Sequence, residues 1–359
     1  MSVSAFSGKR VFVTGHTGFK GSWLTLWLKR LGAEVYGFSL PPPTTPSNYA
    51  LANVKSALAG ETIGDIRDSR GLQQSMTAFA PDVVFHLAAQ PLVRDGYAQP
   101  FETFDVNVMG TACVLDAVRG LGRPCAVVCI TTDKCYENRE QVWGYRECDP
   151  LGGYDPYSAS KGAAEILISS YRRSFFNPER LCEHGVQLAS ARAGNVVGGG
   201  DWARDRIMTD AVAALIAGRP VPVRNPYAIR PWQHVLEPLS GYLLLAAAML
   251  TKPDAVWCSG WNFGPVSGTE LRVGQLMDAF VRAWGSGSWV DQSSPGQPHE
   301  AGVLRLCIEK AGWELGWRPR WLAQEMVERT ARWYRHVLCD KASARAACEA
   351  DIEEYRELV

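Results

Sequence analysis

Residues 10–39 impose the tightest constraint on the fold. The run RVFVTG, residues 10–15, is short, β-branched and ends in glycine; FKGSWLTLWLKRLG, residues 19–32, then spaces Trp23, Leu24, Trp27, Leu28 and Leu31 as one face of a helix. EVYGFSL follows as a second strand. Strand, turn, helix and strand in this order make one crossover of a parallel sheet, and ETIGDI, DVVFHLAA and CAVVCITT continue the series, with helical stretches after Asp68 and after Pro100. Strands that are apolar almost throughout require a cover on both faces, so the expected class is α/β with a doubly wound parallel sheet. Beyond about Gly198 the pattern loosens, with more Pro and Trp. That part is expected to form a smaller C-terminal lobe beside the sheet's carboxyl edge.

Composition excludes several functions. With 37 acidic and 37 basic residues the net charge is zero, which supplies no footprint for nucleic acid or an anionic membrane. The ten cysteines include no CxxC pair, and Cys125 and Cys129 fall in apolar strand-like runs, where they read as small hydrophobes. A reduced, cytoplasmic compartment fits this usage. No signal-like pattern precedes the first strand, and GYLLLAAAML at residues 241–250 is too short to span a bilayer. PPPTTPSN reads as a loop, and the charged tail from Asp340 onward as a surface helix.

Two motifs carry chemistry. GHTGFKG places Gly15, Gly18 and Gly21 between a strand and a helix, where glycines permit a tight turn and bring backbone close to a pyrophosphate at the helix's positive end. An acid usually ends the next strand to accept ribose hydroxyls; here Ser39 stands there, so NAD and NADP are not distinguished at this position. The second motif is YSASK. One helical turn sets Tyr157 and Lys161 on one face, so the ammonium can depress the phenol's pKa and hold a ribose while Tyr157 moves the proton that accompanies hydride transfer. Between the motifs, ITTDKCY leaves an apolar strand and presents Thr132, Asp133 and Lys134 in succession. His86 and His234 have no cysteine or acid at metal spacing and read as packing or loop residues; no metal site is expected.

The glycine spacing and YSASK resemble the extended short-chain dehydrogenase/reductase family. The blocks GHTGFKGSW, HLAAQPLVR, TTDKCYEN, GGYDPYSASKG, ARAGNVVGGGDW, RPWQHVLEPL, WNFGP and LGWRPRW narrow the likeness to its CDP-glucose 4,6-dehydratase branch, over about Lys9 to Trp321. The resemblance implies a Rossmann domain for NAD over residues 1–198, to which some later segments return. Residues 199–359 would be mainly the sugar nucleotide lobe and C-terminal helices. It implies cofactor contacts from Thr17 and Phe19 beside the three glycines, from Ser39, from Asp65 and Ile66 at the adenine, and from Leu87, Ala88 and Ala89, besides Tyr157 and Lys161. CDP-D-glucose would meet Gln90, Asn195, Asp201, Arg206 and Arg230, the two arginines facing its diphosphate. Asn107 matches a position that orders the active-site backbone and a water. Cys307 stands where the family often has aspartate.

The implied reaction converts CDP-D-glucose to CDP-4-dehydro-6-deoxy-D-glucose and water by oxidation at carbon 4, elimination across carbons 5 and 6, and hydride return to carbon 6. Oxidation needs Tyr157, Lys161 and the Thr132 hydroxyl; elimination needs an acid and a group for the carbon-5 proton. Asp133 is the candidate acid, provided burial raises its pKa against the pull of Lys134. Lys134 is either the base, if desolvation and Lys161 outweigh Asp133, or a charged stabiliser of the enolate; the sign does not follow from the sequence. A sugar nucleotide 4-epimerase would share the fold and Tyr157–Lys161 but have no use for Asp133 and Lys134, and a non-catalytic cofactor sensor would typically lack the YxxxK pair. The helical runs after Pro100 and over residues 157–175 are expected to pair with their copies as a four-helix homodimer interface.

Overall fold

The computed structural model describes residues 3–294 and 302–357. Seven parallel strands form the central sheet: β1 (Arg10–Thr14), β2 (Glu34–Ser39), β3 (Gly60–Ile63), β4 (Val83–His86), β5 (Cys125–Ile130), β6 (Val186–Ala193) and β7 (Gly260–Phe263). Their order is β7-β6-β5-β4-β1-β2-β3, so β1 lies between β2 and β4 and the direction of winding reverses there. Ligands of open α/β sheets bind at such a switch point, outside the carboxyl ends of the strands. Thr14 and His86, last in β1 and β4, are register partners at that point.

Both faces are covered, as the apolar strands require. Val11, Val13, Val83, Phe85, Ala126 and Val128 pack with α1 (Phe19–Arg30) on one side; Phe12, Val84, Cys125, Val127 and Cys129 pack with α2 (Ser69–Phe79), α3 (Gly110–Arg119) and α4 (Pro156–Ser174) on the other. The alternation is the period of two of a pleated strand, hidden in sequence because both faces are apolar.

The second half does not stand apart from this sheet. α5 (Leu236–Thr251) is buried along most of its length and packs against β5 and β6, and β7 adds the seventh strand. The run at residues 241–250 is therefore a core helix, and among the described residues no helix is long and apolar enough to cross a membrane. Gly241 is required at the contact: a Cβ there would lie 2.2 Å from the Phe263 ring. Beyond it come α6 (Val273–Trp284), α7 (Ala323–Cys339) and α8 (Ala344–Arg356).

One expectation needs correction. The tail from Asp340 forms α8, but Cys348, Asp351, Ile352 and Tyr355 are buried, so it is an amphipathic helix docked on α1 and α7. Its charges are specific: Asp351 pairs with Arg329 and Arg332 at 3.3 and 2.6 Å, and the Tyr355 hydroxyl donates to Glu237 Oε2 at 2.7 Å.

Candidate active site

A cleft of about 1270 Å³ opens along the carboxyl edge of the sheet and is lined by both chemical motifs and by residues 193–208 and 224–232 of the second half. Single small-ligand pockets are usually about 300–1,000 Å³, so this cleft has room for two ligands end to end.

The glycine turn forms its floor. Gly15 has φ +80°, and a Cβ there would lie 2.7 Å from the Ala88 nitrogen; a Cβ on Gly21 would meet the Gly15 carbonyl oxygen at 2.0 Å. Packing within the chain explains both. Gly18 differs: its φ is −79°, a Cβ would meet nothing nearer than 3.4 Å, and it lines the cleft at the start of α1. Only a group lying against it needs the side chain absent, which is the fit expected for a dinucleotide pyrophosphate. Thr17, Phe19, Leu87, Ala88 and Ala89 also line this end. Ser39 is not free, since its hydroxyl and that of Thr17 are 2.8 Å apart and Thr17 donates on to the Leu40 carbonyl. Ile66 packs beneath the cleft, while the Asp65 carboxylate is held by Arg67 at 2.6 Å, which keeps it below the usual carboxylate range.

The Tyr157 phenol and Thr132 both line the cleft, and Thr132 is among the groups that favour the ionised phenol. Asp155 caps α4 by accepting from the Ser158 nitrogen at 3.0 Å, and Pro156 opens the helix, so the first turn that carries Tyr157 and Lys161 is fixed locally. Burial pushes the phenol up to about 12. Arg206 and Thr132 oppose the rise, and Lys161 is not a principal influence, contrary to the expectation that its ammonium would depress the phenol. Burial instead draws Lys161 itself down to about 8.

Thr132 caps the short turn Asp133–Cys135, accepting from the Lys134 nitrogen at 3.3 Å and donating to Asp133 Oδ1 at 2.8 Å. Asp133 is only 1% exposed, and its Oδ2 has no partner among the described residues. Burial raises its pKa against Lys134, Thr132 and Arg230. For Lys134, burial is the largest influence and lowers its pKa against Asp133 and Asp155, with Arg230 and Arg206 adding to the fall, whereas Lys161 is not among its main influences.

Asn107 sits in a π-helical turn, Asp105–Met109. Its amide bonds both backbone groups of Gln90, at 2.9 and 3.1 Å, and donates to Ser160 Oγ at 2.9 Å, which ties the end of β4 to α4. The Gln90 side chain itself is engaged by Thr103 and by the Leu92 nitrogen. Among the described residues Asn195 Oδ1, buried in the cleft wall, has no partner, and neither has Arg206 Nε. Arg230 is a buried strand residue, 7% exposed, that bonds the Gly302 carbonyl. Asp201 lines the wall with a pKa raised by burial. Cys307 is not among the cleft's lining residues; its thiol lies 2.7 Å from Glu309.

One cleft residue, Lys20, escaped the sequence reading, while His86, read as a packing or loop residue, proves to be a buried strut. Lys20 lines the cleft among Arg206, Asp133, Lys161 and Asp201, and burial with its cationic neighbours brings it to about 8. Its place inside the glycine motif was the available signal. His86 joins the Thr14 and Thr111 hydroxyls at 2.8 and 3.0 Å, and burial holds it near 3, so it is a neutral strut between β1, β4 and α3. His234 is a buried packing residue against Trp23 and Trp321. Among the described residues no cluster of His, Cys, Asp and Glu could hold a metal.

The sequence model of the GDP-mannose 4,6 dehydratase family matches residues 12–330, and the chain belongs to that family. It is 52% identical over 331 residues to a CDP-glucose 4,6-dehydratase of Salmonella typhimurium, covering 92% of this chain and 91% of that one. A dTDP-glucose 4,6-dehydratase of Streptomyces antibioticus is 32% identical, over 90% of this chain and 92% of that protein. Among solved structures, DesIV, a dTDP-glucose 4,6-dehydratase from Streptomyces venezuelae with NAD and TYD bound, superposes with a TM-score of 0.76 at 26% identity, covering 91% of this chain and 97% of its own. A UDP-glucose 4-epimerase of Stenotrophomonas maltophila superposes at 0.79 and 21% identity over 92% and 99% of the two chains, a likeness of fold.

Eight basic side chains line the cleft, Lys20, Lys134, Lys161, Arg206 and Arg230 among them, together with seven acidic ones that include Asp133, Asp155 and Asp201. An entering diphosphate stabilises the protonated lysines and raises their pKa. With Lys20 and Lys161 near 8, binding of CDP or NAD at about pH 8 should therefore take up protons. Titration calorimetry in buffers of different ionisation enthalpy reads this as a slope in the apparent binding enthalpy; a flat dependence refutes it.

Proposed function

We propose that the chain is a CDP-glucose 4,6-dehydratase, an NAD-dependent hydro-lyase that converts CDP-D-glucose to CDP-4-dehydro-6-deoxy-D-glucose and water. The observation that carries this reading is a buried acid, Asp133, followed by a half-buried amine, Lys134, in the same cleft as Tyr157 and Lys161. A 4-epimerase leaves the first two without a task. The 52% identity to the Salmonella dehydratase supports the choice of CDP-D-glucose.

Gly15, Gly18 and Gly21, with Thr17 and Phe19, would hold NAD, which would supply the hydride chemistry between carbons 4 and 6. Tyr157 takes the proton of the 4-hydroxyl, with Arg206 and Thr132 favouring its ionised form over the burial that opposes it. Asp133, its pKa raised by burial, gives its proton to the departing 6-hydroxyl from Oδ2, which has no partner among the described residues. Lys134 takes the carbon-5 proton, a role its lowered pKa supports because only a neutral amine is a base. Arg206 and Arg230, joined by Lys20, face the diphosphate, while Asn195 and Asp201 meet the nucleotide sugar. Residues 1–198 chiefly hold the cofactor, and 199–359 the substrate. All ten cysteines are free thiols, which supports a cytoplasmic setting.

Substrate deuterated at carbon 4 should yield product deuterated at carbon 6, with catalytic NAD sufficing; loss of the label to solvent sinks the reading. Tyr157→Phe should suppress both the transient absorbance of reduced nicotinamide and product. Asp133→Asn keeps shape but cannot donate, so oxidation should proceed while elimination slows by roughly 10²–10⁴-fold, about 3–5 kcal/mol of barrier.

The assembly is a homodimer through residues 93–119 and α4. Phe101, Met109, Ile166 and Phe175 are exposed at 83, 55, 59 and 46%, apolar surface that a second copy would cover. Sedimentation should show a dimer at micromolar concentration that Phe101→Asp weakens; a stable wild-type monomer rules the interface out.

A further inference from the structure

Behind the cleft, Glu165 and Arg192 form an ion pair with 2.7 Å between Oε2 and Nη2 and side chains 3% and 6% exposed. Glu165 lies one helical turn beyond Lys161 on α4, and Arg192 lies on β6. Neither lines the cleft. Their contacts reach both ends of the segment that carries Thr132, Asp133 and Lys134. At the near end, Thr131 Oγ1 donates to Glu165 Oε1 at 2.5 Å. At the far end, Arg192 Nη1 donates to the Tyr136 phenol oxygen at 2.7 Å, and that phenol donates to Asn262 Oδ1 at 2.7 Å. The guanidinium also lies 5.0 Å from the centre of the Tyr136 ring.

Further bonds complete most of the network, Arg192 Nε being left without a partner among the described residues. Ser190 Oγ donates to Glu165 Oε2 at 2.8 Å, and Arg192 Nη1 donates to the Glu147 carbonyl at 3.0 Å. Burying two charges carries a desolvation cost that apolar residues of equal volume would avoid, so stability alone is a weak reason for such a pair. What it achieves is a fixed spacing. The segment between Thr131 and Tyr136 has its own short turn, and the Asp133 carboxyl is held within it by Thr132 at 2.8 Å. Its distance from α4 is therefore set outside the cleft, by one ion pair whose partners grip the two ends. Tyr157 and Lys161 have independent anchors in the Asp155 cap and the Asn107–Ser160 bond.

We infer that Glu165 and Arg192 are positioning residues that hold the Thr132–Asp133–Lys134 segment in register with Tyr157 and Lys161, acting on elimination more than on oxidation. This rests on the dehydratase reading above. The pair touches neither substrate nor cofactor; it acts through Thr131 and Tyr136. Because the two halves of the reaction are carried by different elements, loosening the segment should uncouple them.

Glu165→Gln keeps the shape of the side chain and an acceptor for Thr131 but removes the charge that holds Arg192. Tyr136→Phe keeps the ring and removes one hydroxyl at the far end. Each variant, assayed with NAD and CDP-D-glucose, should show an unchanged KM and a lower kcat, about 10²-fold for Glu165→Gln, the loss typical of an ångström-scale misplacement. In a single turnover the absorbance of reduced nicotinamide should rise at the wild-type rate and decay slowly. Without any ligand, amide hydrogen exchange over residues 131–136 should be faster than in wild type while that of β4 is unchanged. Wild-type kcat with wild-type exchange in both variants overturns the inference, as does an equal loss in both phases without faster exchange. If Glu165→Gln does not fold, Tyr136→Phe decides alone. If the wild-type protein forms no 4-keto product from CDP-D-glucose, the dehydratase reading fails, and the exchange comparison still decides whether the pair fixes the segment.

Discussion

Removal of water from charged groups at the carboxyl edge of the sheet governs the chemistry of this protein. Asp133, Lys134 and Lys161 all have burial as the largest influence on their protonation, and it acts in opposite directions on acid and amine. In water, adjacent Asp and Lys side chains are ionised and paired. Here the same neighbours are each moved towards the neutral state, which is the state in which a carboxyl can donate a proton and an amine can accept one. The fold supplies that burial by covering both faces of the sheet and closing the carboxyl edge with the chain's second half.

Much of the architecture is legible from the chain alone because it is local. The strands from Arg10 to Ile130 announce themselves as apolar runs ended by turn residues, and the glycine turn and YSASK each complete their geometry within one turn of helix. What escaped depends on approach across the fold. Nothing near Glu165 in sequence points to Arg192 on β6, and nothing near Lys20 indicates that Asp201 will face it. The expected effect of Lys161 on Tyr157 failed for a related reason: sharing a helix face brings two residues near each other, but Arg206, from a distant loop, is the stronger cationic influence on the phenol. Zero net charge likewise concealed a cleft lined by eight basic and seven acidic side chains, since a sum over the whole surface carries no information about where charges meet.

The second half was read as a lobe, and its main contribution to the site is rigidity as well as contacts. Glu237, at the start of α5, accepts from the Arg320 and Trp321 nitrogens and from Tyr355, so one carboxyl gathers α5, the segment before α7, and α8. Burial draws it up to about 7 although all its partners are donors that favour the ionised form. On the opposite side of the same layer, the Trp23 indole donates to the Gly199 carbonyl at 2.9 Å. The helix that presents the glycine turn is thus braced by the stretch that carries Asp201 and leads to Arg206.

The thiols along β5 have a consequence for the durability of the protein. Cys125 and Cys129 are pushed up to about 12 by burial, and Cys135, between Asp133 and Tyr136, is raised well above its ordinary value. Oxidants and electrophiles attack the thiolate, and a thiol held protonated offers them little. The segment that handles protons for elimination therefore carries sulfur without inheriting its reactivity. Oxidative damage to this protein should begin at the exposed Cys148, Cys182 and Cys339, none of which lines the cleft, and leave the catalytic edge chemically intact as the molecule ages.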